Sequence, residues 1–232
     1  GPSGSGIPVV LPASTVAGQW DFDRGNLSAT IGKPLQYLDP AYDGPTGTNA
    51  NLTTFGDTTT LGQPLIDGQE AKIMQVPGDT GPGSRNLGYI MTHGIAPNGG
   101  GAKVNQYTLI MDVLVNTTGA GAASLINIGA SLNNTDDGDL FWQGSNFGQG
   151  GGGYNGTGQF TAGAWHRVVA AYDEAANPPV VTKYLDGIKQ DDWTANQGLD
   201  NARRAMQPTA ILFGDGDQDE RRKMWVNSIQ IR

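Results

Sequence analysis

Four carboxylates crowd into the six residues Asp215-Gly216-Asp217-Gln218-Asp219-Glu220, directly after an apolar run. Hard cations take several oxygen ligands at about 2.3–2.6 Å, so this density makes calcium the cofactor to test. Asp215, Asp217 and Asp219 fall at positions 1, 3 and 5 of a calcium loop, but position 6 is Glu220 instead of Gly and position 12 is Val226 instead of Glu. An EF-hand is therefore rejected. A structural calcium could instead draw oxygens from separate loops, with Asp21 or Asp23 joining Asp215, Asp217 and Asp219 if the first and last strands are neighbours. The plainer alternative is a solvated acidic turn balanced by Arg221, Arg222 and Lys223. Asp136, Asp137 and Asp139 form a thinner cluster for which an Asx turn suffices.

Aromatic residues in polar, glycine-rich surroundings are the second chemistry. Sugar rings stack their C–H faces on Trp and Tyr, while Asn, Gln and Asp supply orienting hydrogen bonds. Trp142-Gln143-Gly144-Ser145-Asn146-Phe147, Tyr154-Asn155 and Asp191-Asp192-Trp193-Thr194 are mixtures of this kind. Trp142, Asn146, Tyr154 and Trp193 are the expected ligand contacts, and the plainer alternative is that such rings cover a sandwich edge. Trp20, Trp165 and Trp225 lie inside strand patterns and are expected in the core.

Catalysis has less to stand on. Glycosidases need two carboxyl groups about 5–9.5 Å apart, and the glutamates are only Glu70, Glu174 and Glu220. Of the two histidines, His166 sits within a strand pattern, whereas His93 precedes a glycine-rich turn and is the better functional candidate. No Gly-x-Ser-x-Gly elbow or phosphate loop occurs, and Asn98-Gly99-Gly100-Gly101 reads as a turn. No catalytic residue is assigned.

The elements that must position these groups are strands. With 36 Gly, 13 Pro and only 16% charged residues in 232, the composition suits many short strands joined by turns. The absence of cysteine rules out disulfides and thiolate metal sites. A net charge of −8 repels phosphate backbones, which argues against nucleic acid as a partner and leaves neutral glycans, cations and hard metal ions such as calcium compatible. No apolar run approaches the roughly 18–20 residues needed to span a bilayer, so no membrane insertion is expected, and no signal peptide is legible. Residues 1–6, Gly-Pro-Ser-Gly-Ser-Gly, read as a tag remnant and linker, leaving residues 7–232 as a single β-sandwich domain of a longer, multidomain chain.

Alternation marks the strands. Trp165 to Asp173 and Val180 to Leu185 form a hairpin that ends in the turn signal Asp186-Gly187. Shorter runs begin at Gln19, Leu27, Leu35, Leu52, Ala71, Gly88, Ala123, Gly138 and Ala210, and Tyr107 to Val115 is nearly continuous in apolar character. The last strand alternates Met224, Val226, Ser228 and Gln230 against Trp225, Asn227, Ile229 and Ile231. The polar stretch from Asp39 to Gly68 is expected to wrap over a sheet or shape a site. A short helical turn is expected between Asp191 and Gln207. The prediction is an all-β, antiparallel, two-sheet jelly-roll sandwich.

The Trp20-Asp21-Phe22 opening, the Asn105 to Asp112 strand, Trp165-His166-Arg167-Val168, Lys183-Tyr184-Leu185-Asp186-Gly187, Leu212-Phe213-Gly214-Asp215 and Trp225-Val226-Asn227-Ser228-Ile229 follow one another in a familiar order. That order resembles laminin-G-like and concanavalin A-like jelly-roll modules, bacterial ones in particular, over about residues 19–232. The resemblance implies a concanavalin A-like fold, a secreted or cell-surface location and a carbohydrate-binding, lectin-like role toward a polysaccharide or glycan. It leaves open a glycan hydrolase or polysaccharide lyase, and a structural or adhesion spacer. The Glu-x-Asp-x-x-Glu strand of jelly-roll glucanases and the Gln-Ile-His and Tyr-x-Lys-x-Gly-x-Tyr strands of jelly-roll lyases have no counterpart in this sequence.

Overall fold

A computed structural model describes residues 15–38, 49–78, 88–116, 122–128, 140–149, 160–190, 198–214 and 221–232. The strands are β1 (Gly18–Trp20), β2 (Gln36–Leu38), β3 (Thr54–Asp57), β4 (Lys72–Val76), β5 (Gly88–Thr92), β6 (Gln106–Leu114) and β7 (Ala122–Asn127). They continue as β8 (Leu140–Gln143), β9 (Asn146–Gln149), β10 (Trp165–Asp173), β11 (Val180–Leu185), β12 (Ile188–Lys189), β13 (Thr209–Leu212) and β14 (Met224–Ile231). One helical turn, α1 (Asn49–Leu52), precedes β3.

Among the described residues these strands form two antiparallel sheets, a jelly-roll β-sandwich. The larger runs β12-β11-β10-β6-β14-β4-β3, with β1 paired to β14, and the smaller runs β2-β5-β13-β7-β8-β9. Period-2 alternation supplies the glue. Along β10, His166, Val168, Ala170 and Tyr172 are buried, and along β6 Tyr107, Leu109, Met111 and Val113 are buried with them. They meet Tyr89 and Met91 of β5, Leu125 of β7, Leu140 and Trp142 of β8, and Leu212 of β13 in one core.

Two expectations fail. Strict alternation in β14 breaks because its register on β6 shifts between Val226 and Ser228. The bulge flips the parity, so Met224 and Val226 and also Ile229 and Ile231 face the core, while Trp225 points out. Leu27 to Ile31 contributes only an isolated Gln19–Ile31 bridge. The helical turn expected between Asp191 and Gln207 has a counterpart in a single turn closed by the Ala205 N–H on the Asn201 carbonyl at 3.1 Å, followed by a Val104–Met206 bridge, while residues 191–197 lie outside the described residues. Asn105, fully buried, ties this segment down: its Nδ2 donates to the carbonyls of Asn98 and Lys103 and to Asp200 Oδ1, and its Oδ1 accepts the Asp200 N–H at 2.7 Å. Asp200 in turn takes the Ala102 and Lys103 N–H groups, which lowers its pKa. Gly101 is required there, since a Cβ would run into the Asp200 carboxylate and the Asn105 amide.

Candidate functional site

The end of β10 that begins at Trp165 is where the outer face of the larger sheet acquires chemistry. Opposite its buried residues, alternation turns Trp165, Arg167, Val169 and Ala171 away from the main core. The register sets Trp165 against Leu114 and Arg167 against Asp112 of β6. Arg167 donates from Nε to Asp112 Oδ1 at 2.7 Å and from its second guanidinium nitrogen to Oδ2 at 2.8 Å, a bidentate pair. These hydrogen bonds and the Asp112 charge raise the Arg167 pKa above its ordinary value.

Trp165 does not join the main core. It packs with Leu61 on a second cluster made by Ile73, Leu114 and Trp225, on the outward side of the sheet. The segment between β3 and β4 covers this cluster and is fastened by Thr58 N–H to the Ala71 carbonyl and by Glu70, which accepts from the hydroxyls of Thr58 and Thr59. Its Pro64 carbonyl accepts the Trp165 Nε1–H at 2.8 Å, so the indole is held at both its apolar and its polar edge. The expectation that Trp165 is a core residue is thus corrected to a partly exposed ring in the satellite cluster.

Two Asp-Gly turns then aim carboxylates at the same place. Asp67-Gly68 has φ values of 49° and 74°, and Asp186-Gly187 of 52° and 79°, as a two-residue turn of type I′ demands. Asp186 accepts the Arg167 N–H on Oδ1 at 2.8 Å and faces His166 Nδ1 with Oδ2 at 2.6 Å. With a carboxylate on that side, Nδ1 carries a proton. His166 Nε2 lies against Thr161, 3.0 Å from its hydroxyl, and Phe160 stacks on the imidazole at 5.0 Å. Ile66, Asp67, Asp112, Trp165, His166, Arg167 and Asp186 together line a groove of about 280 Å³. The arrangement offers a fixed apolar ring face, several carboxylate acceptors and a guanidinium whose side chain is 62% exposed.

The expected contacts fare unevenly. Trp142 is 1% exposed and stacks on Phe160 at 5.7 Å inside the core, so it presents no platform to a ligand, and that expectation is corrected. Its parity explains the burial, since β8 pairs with β7 as Trp142 opposite Ala123, both facing the opposite sheet. Asn146 opens β9 at the edge of the smaller sheet and is half-buried. Tyr154, Trp193, Asp215, Asp217 and Asp219 lie outside the described residues. β1 does pair with β14, as a shared calcium site would need. Asp23 lines a hollow of about 210 Å³ with Arg24, Ser28 and Thr30, whereas Asp21 commits Oδ2 to Gln19 Nε2 and Thr30 Oγ1. Among the described residues no three carboxylate or imidazole side chains are placed so that they could hold a metal ion together.

His93 is buried and satisfied at both nitrogens: Nδ1 accepts the Ile95 N–H, leaving Nε2 to carry the proton and donate to the Gln207 carbonyl. Burial lowers its pKa, and both ring nitrogens are committed to the backbone. The cleft beside it, about 450 Å³, is lined by Ala17, Ile95, Asn98, Gln106 and Arg232 among others, with no projecting aromatic ring. What sequence reasoning missed was Trp165, although the signal existed: it has the parity of Arg167, not of Val168.

No family model matches the sequence, and no curated protein matches it. Among solved structures, domain 4 of AbnA, a GH43 extracellular arabinanase from Geobacillus stearothermophilus determined with arabinotriose, is similar over 93% of this chain and 91% of its own, at 16% identity and a TM-score of 0.54. The botulinum neurotoxin type G receptor-binding domain is similar over 94% of this chain, at 9% identity and a TM-score of 0.54, and this chain spans 47% of its length. These likenesses are likenesses of fold.

Proposed function

We propose that the chain is a non-catalytic, laminin-G-like carbohydrate-binding module of a larger exported bacterial protein, and that glycan lies in the groove at Trp165. One observation carries the proposal: an indole fixed through its own N–H to Pro64 stands beside the Arg167–Asp112 pair in a single open groove. A sugar face stacks on the ring while its hydroxyls meet carboxylate oxygens and the exposed guanidinium. Further support comes from domain 4 of the arabinanase, which shares the fold and was determined with arabinotriose.

Asn146, Tyr154 and Trp193 are proposed as additional contacts for a longer chain, and Trp142 is withdrawn because it is buried. A structural calcium held by Asp215, Asp217 and Asp219 with Asp23 belongs to the same proposal. Asp21 fits that set less well, because Gln19 and Thr30 already occupy one of its oxygens. The test is affinity electrophoresis of wild type, Trp165→Ala and Arg167→Ala through gels containing individual polysaccharides. Wild type is retarded by at least one polymer and the variants run free. Equal retardation of all three places the glycan elsewhere.

A further inference from the structure

The groove's charges restrict which glycans it takes. Asp67, Asp112 and Asp186 line it against one guanidinium, that of Arg167. A uronate or sulfate is ordinarily recognised by the paired N–H groups of an arginine. Here one of the two N–H edges of Arg167 is already spent on Asp112, through Nε and one terminal nitrogen, at 2.7 and 2.8 Å. An anionic sugar would therefore have either to displace Asp112 or to take the remaining terminal edge of the guanidinium, and in both cases it sits beside the Asp112 carboxylate. It would also approach Asp67, whose charge reaches Arg167, and a chain of net charge −8.

Resting on the binding role proposed above, we propose that this groove selects uncharged, hydroxyl-rich glycans and rejects uronate-bearing and sulfated ones. Hydroxyl groups suit it because carboxylate oxygens accept O–H donors in short, charge-assisted bonds. The apolar side of the sugar meets Trp165 and Ile66, which flank the carboxylates. Asp67 is the residue on which selectivity turns. It is exposed, it makes no part of the Arg167 fork, and it occupies a positive-φ turn position that Asn also tolerates, so Asp67→Asn removes one charge while keeping the Asp-Gly turn geometry.

The experiment measures retention of wild type, Asp67→Asn and Trp165→Ala on arabinan, xylan and β-glucan, and on polygalacturonate and alginate, at low and high salt. Wild type is expected to bind at least one neutral polymer, and to bind the polyuronates ~10-fold or more weakly at low salt, where like charges are least screened. The gap narrows in Asp67→Asn and at high salt. Trp165→Ala loses the neutral polymer, which locates the binding in this groove. Retention on a polyuronate equal to or tighter than on every neutral polymer overturns the selectivity while leaving a carbohydrate-binding role intact. Retention on none of the polymers overturns both.

Discussion

Arg167 and Asp112 face each other on neighbouring strands of the outer sheet face, and their side chains close a bidentate pair at 2.7 and 2.8 Å. The pair is half in water: the side chain of Arg167 is 62% exposed and that of Asp112 19%. Exposed pairs contribute about 0.2–1 kcal/mol, so stability is a poor reason for its geometry. Replacing Asp112 by Ala should cost no more than about 1 kcal/mol in urea denaturation. Glycan affinity should fall by far more than the stability loss implies, since Arg167 then swings free. A denaturation series on Asp112→Ala, Arg167→Ala and the double variant checks the first part, and a coupling well above that range would make the pair structural.

Trp142 and Trp165 make a contrasting pair of substitutions. Trp142→Ala opens a cavity against Phe160 in the main core and should destabilise by about 3–5 kcal/mol. Trp165→Ala uncovers only the satellite cluster of Ile73, Leu114 and Trp225, so a loss nearer 1–2 kcal/mol is expected. Thermal melts of the two variants distinguish these outcomes, and a reversed order would contradict the assignment of one ring to core and the other to surface.

Glu174 gives the fold a pH signature. Its residue is 1% exposed, and burial raises its pKa from 4.5 to about 7, against the lowering effects of the Gly198 N–H and of Arg204 and with a small upward push from Asp173. Below pH 4.5 both folded and unfolded chains hold the proton, and the group's contribution is complete. Between 4.5 and about 7 the unfolded chain ionises first, so stability falls as pH rises, by roughly 3 kcal/mol in total, and is level above. Glu174→Gln keeps an acceptor for the Gly198 N–H and cannot ionise. The variant should gain stability over wild type at pH 8 and little at pH 5. An identical pH slope in both proteins would show that Glu174 does not titrate in this range.

Calcium is tested through linkage, because an ion that binds only the folded state raises its apparent stability. A melting temperature several degrees higher in millimolar calcium than in chelator is expected if Asp215, Asp217 and Asp219 hold a structural ion. Loss of that increment in Asp217→Asn would assign the loop, and an unmoved transition would remove calcium from the account.

Local patterns carried most of the architecture into the sequence. Alternation from Trp165 to Asp173, the Asp186-Gly187 turn and the apolar β6 run all appear as expected, in register with one another. The bulge at Asn227 was not legible, since a residue that reverses parity looks like any other in an alternating string; its amide donates to the Lys72 carbonyl on a strand distant in sequence. The groove was hidden for a related reason. It exists because residues near Pro64 fold over strands that follow much later, and because two separate Asp-Gly turns meet there. Glycine-rich surroundings drew attention to Trp142, while the polarity of its own strand neighbour, Arg167, marked Trp165.

Isothermal titration of wild type and Trp165→Ala with an oligosaccharide of the best-retained neutral polymer tests the central claim most directly. A buried aromatic anchor is worth more than about 1.4 kcal/mol, or about tenfold in affinity. The expected result is an affinity at least that much weaker in Trp165→Ala, with an unchanged circular dichroism spectrum. Affinities within about twofold of each other would contradict the claim that this groove holds the glycan.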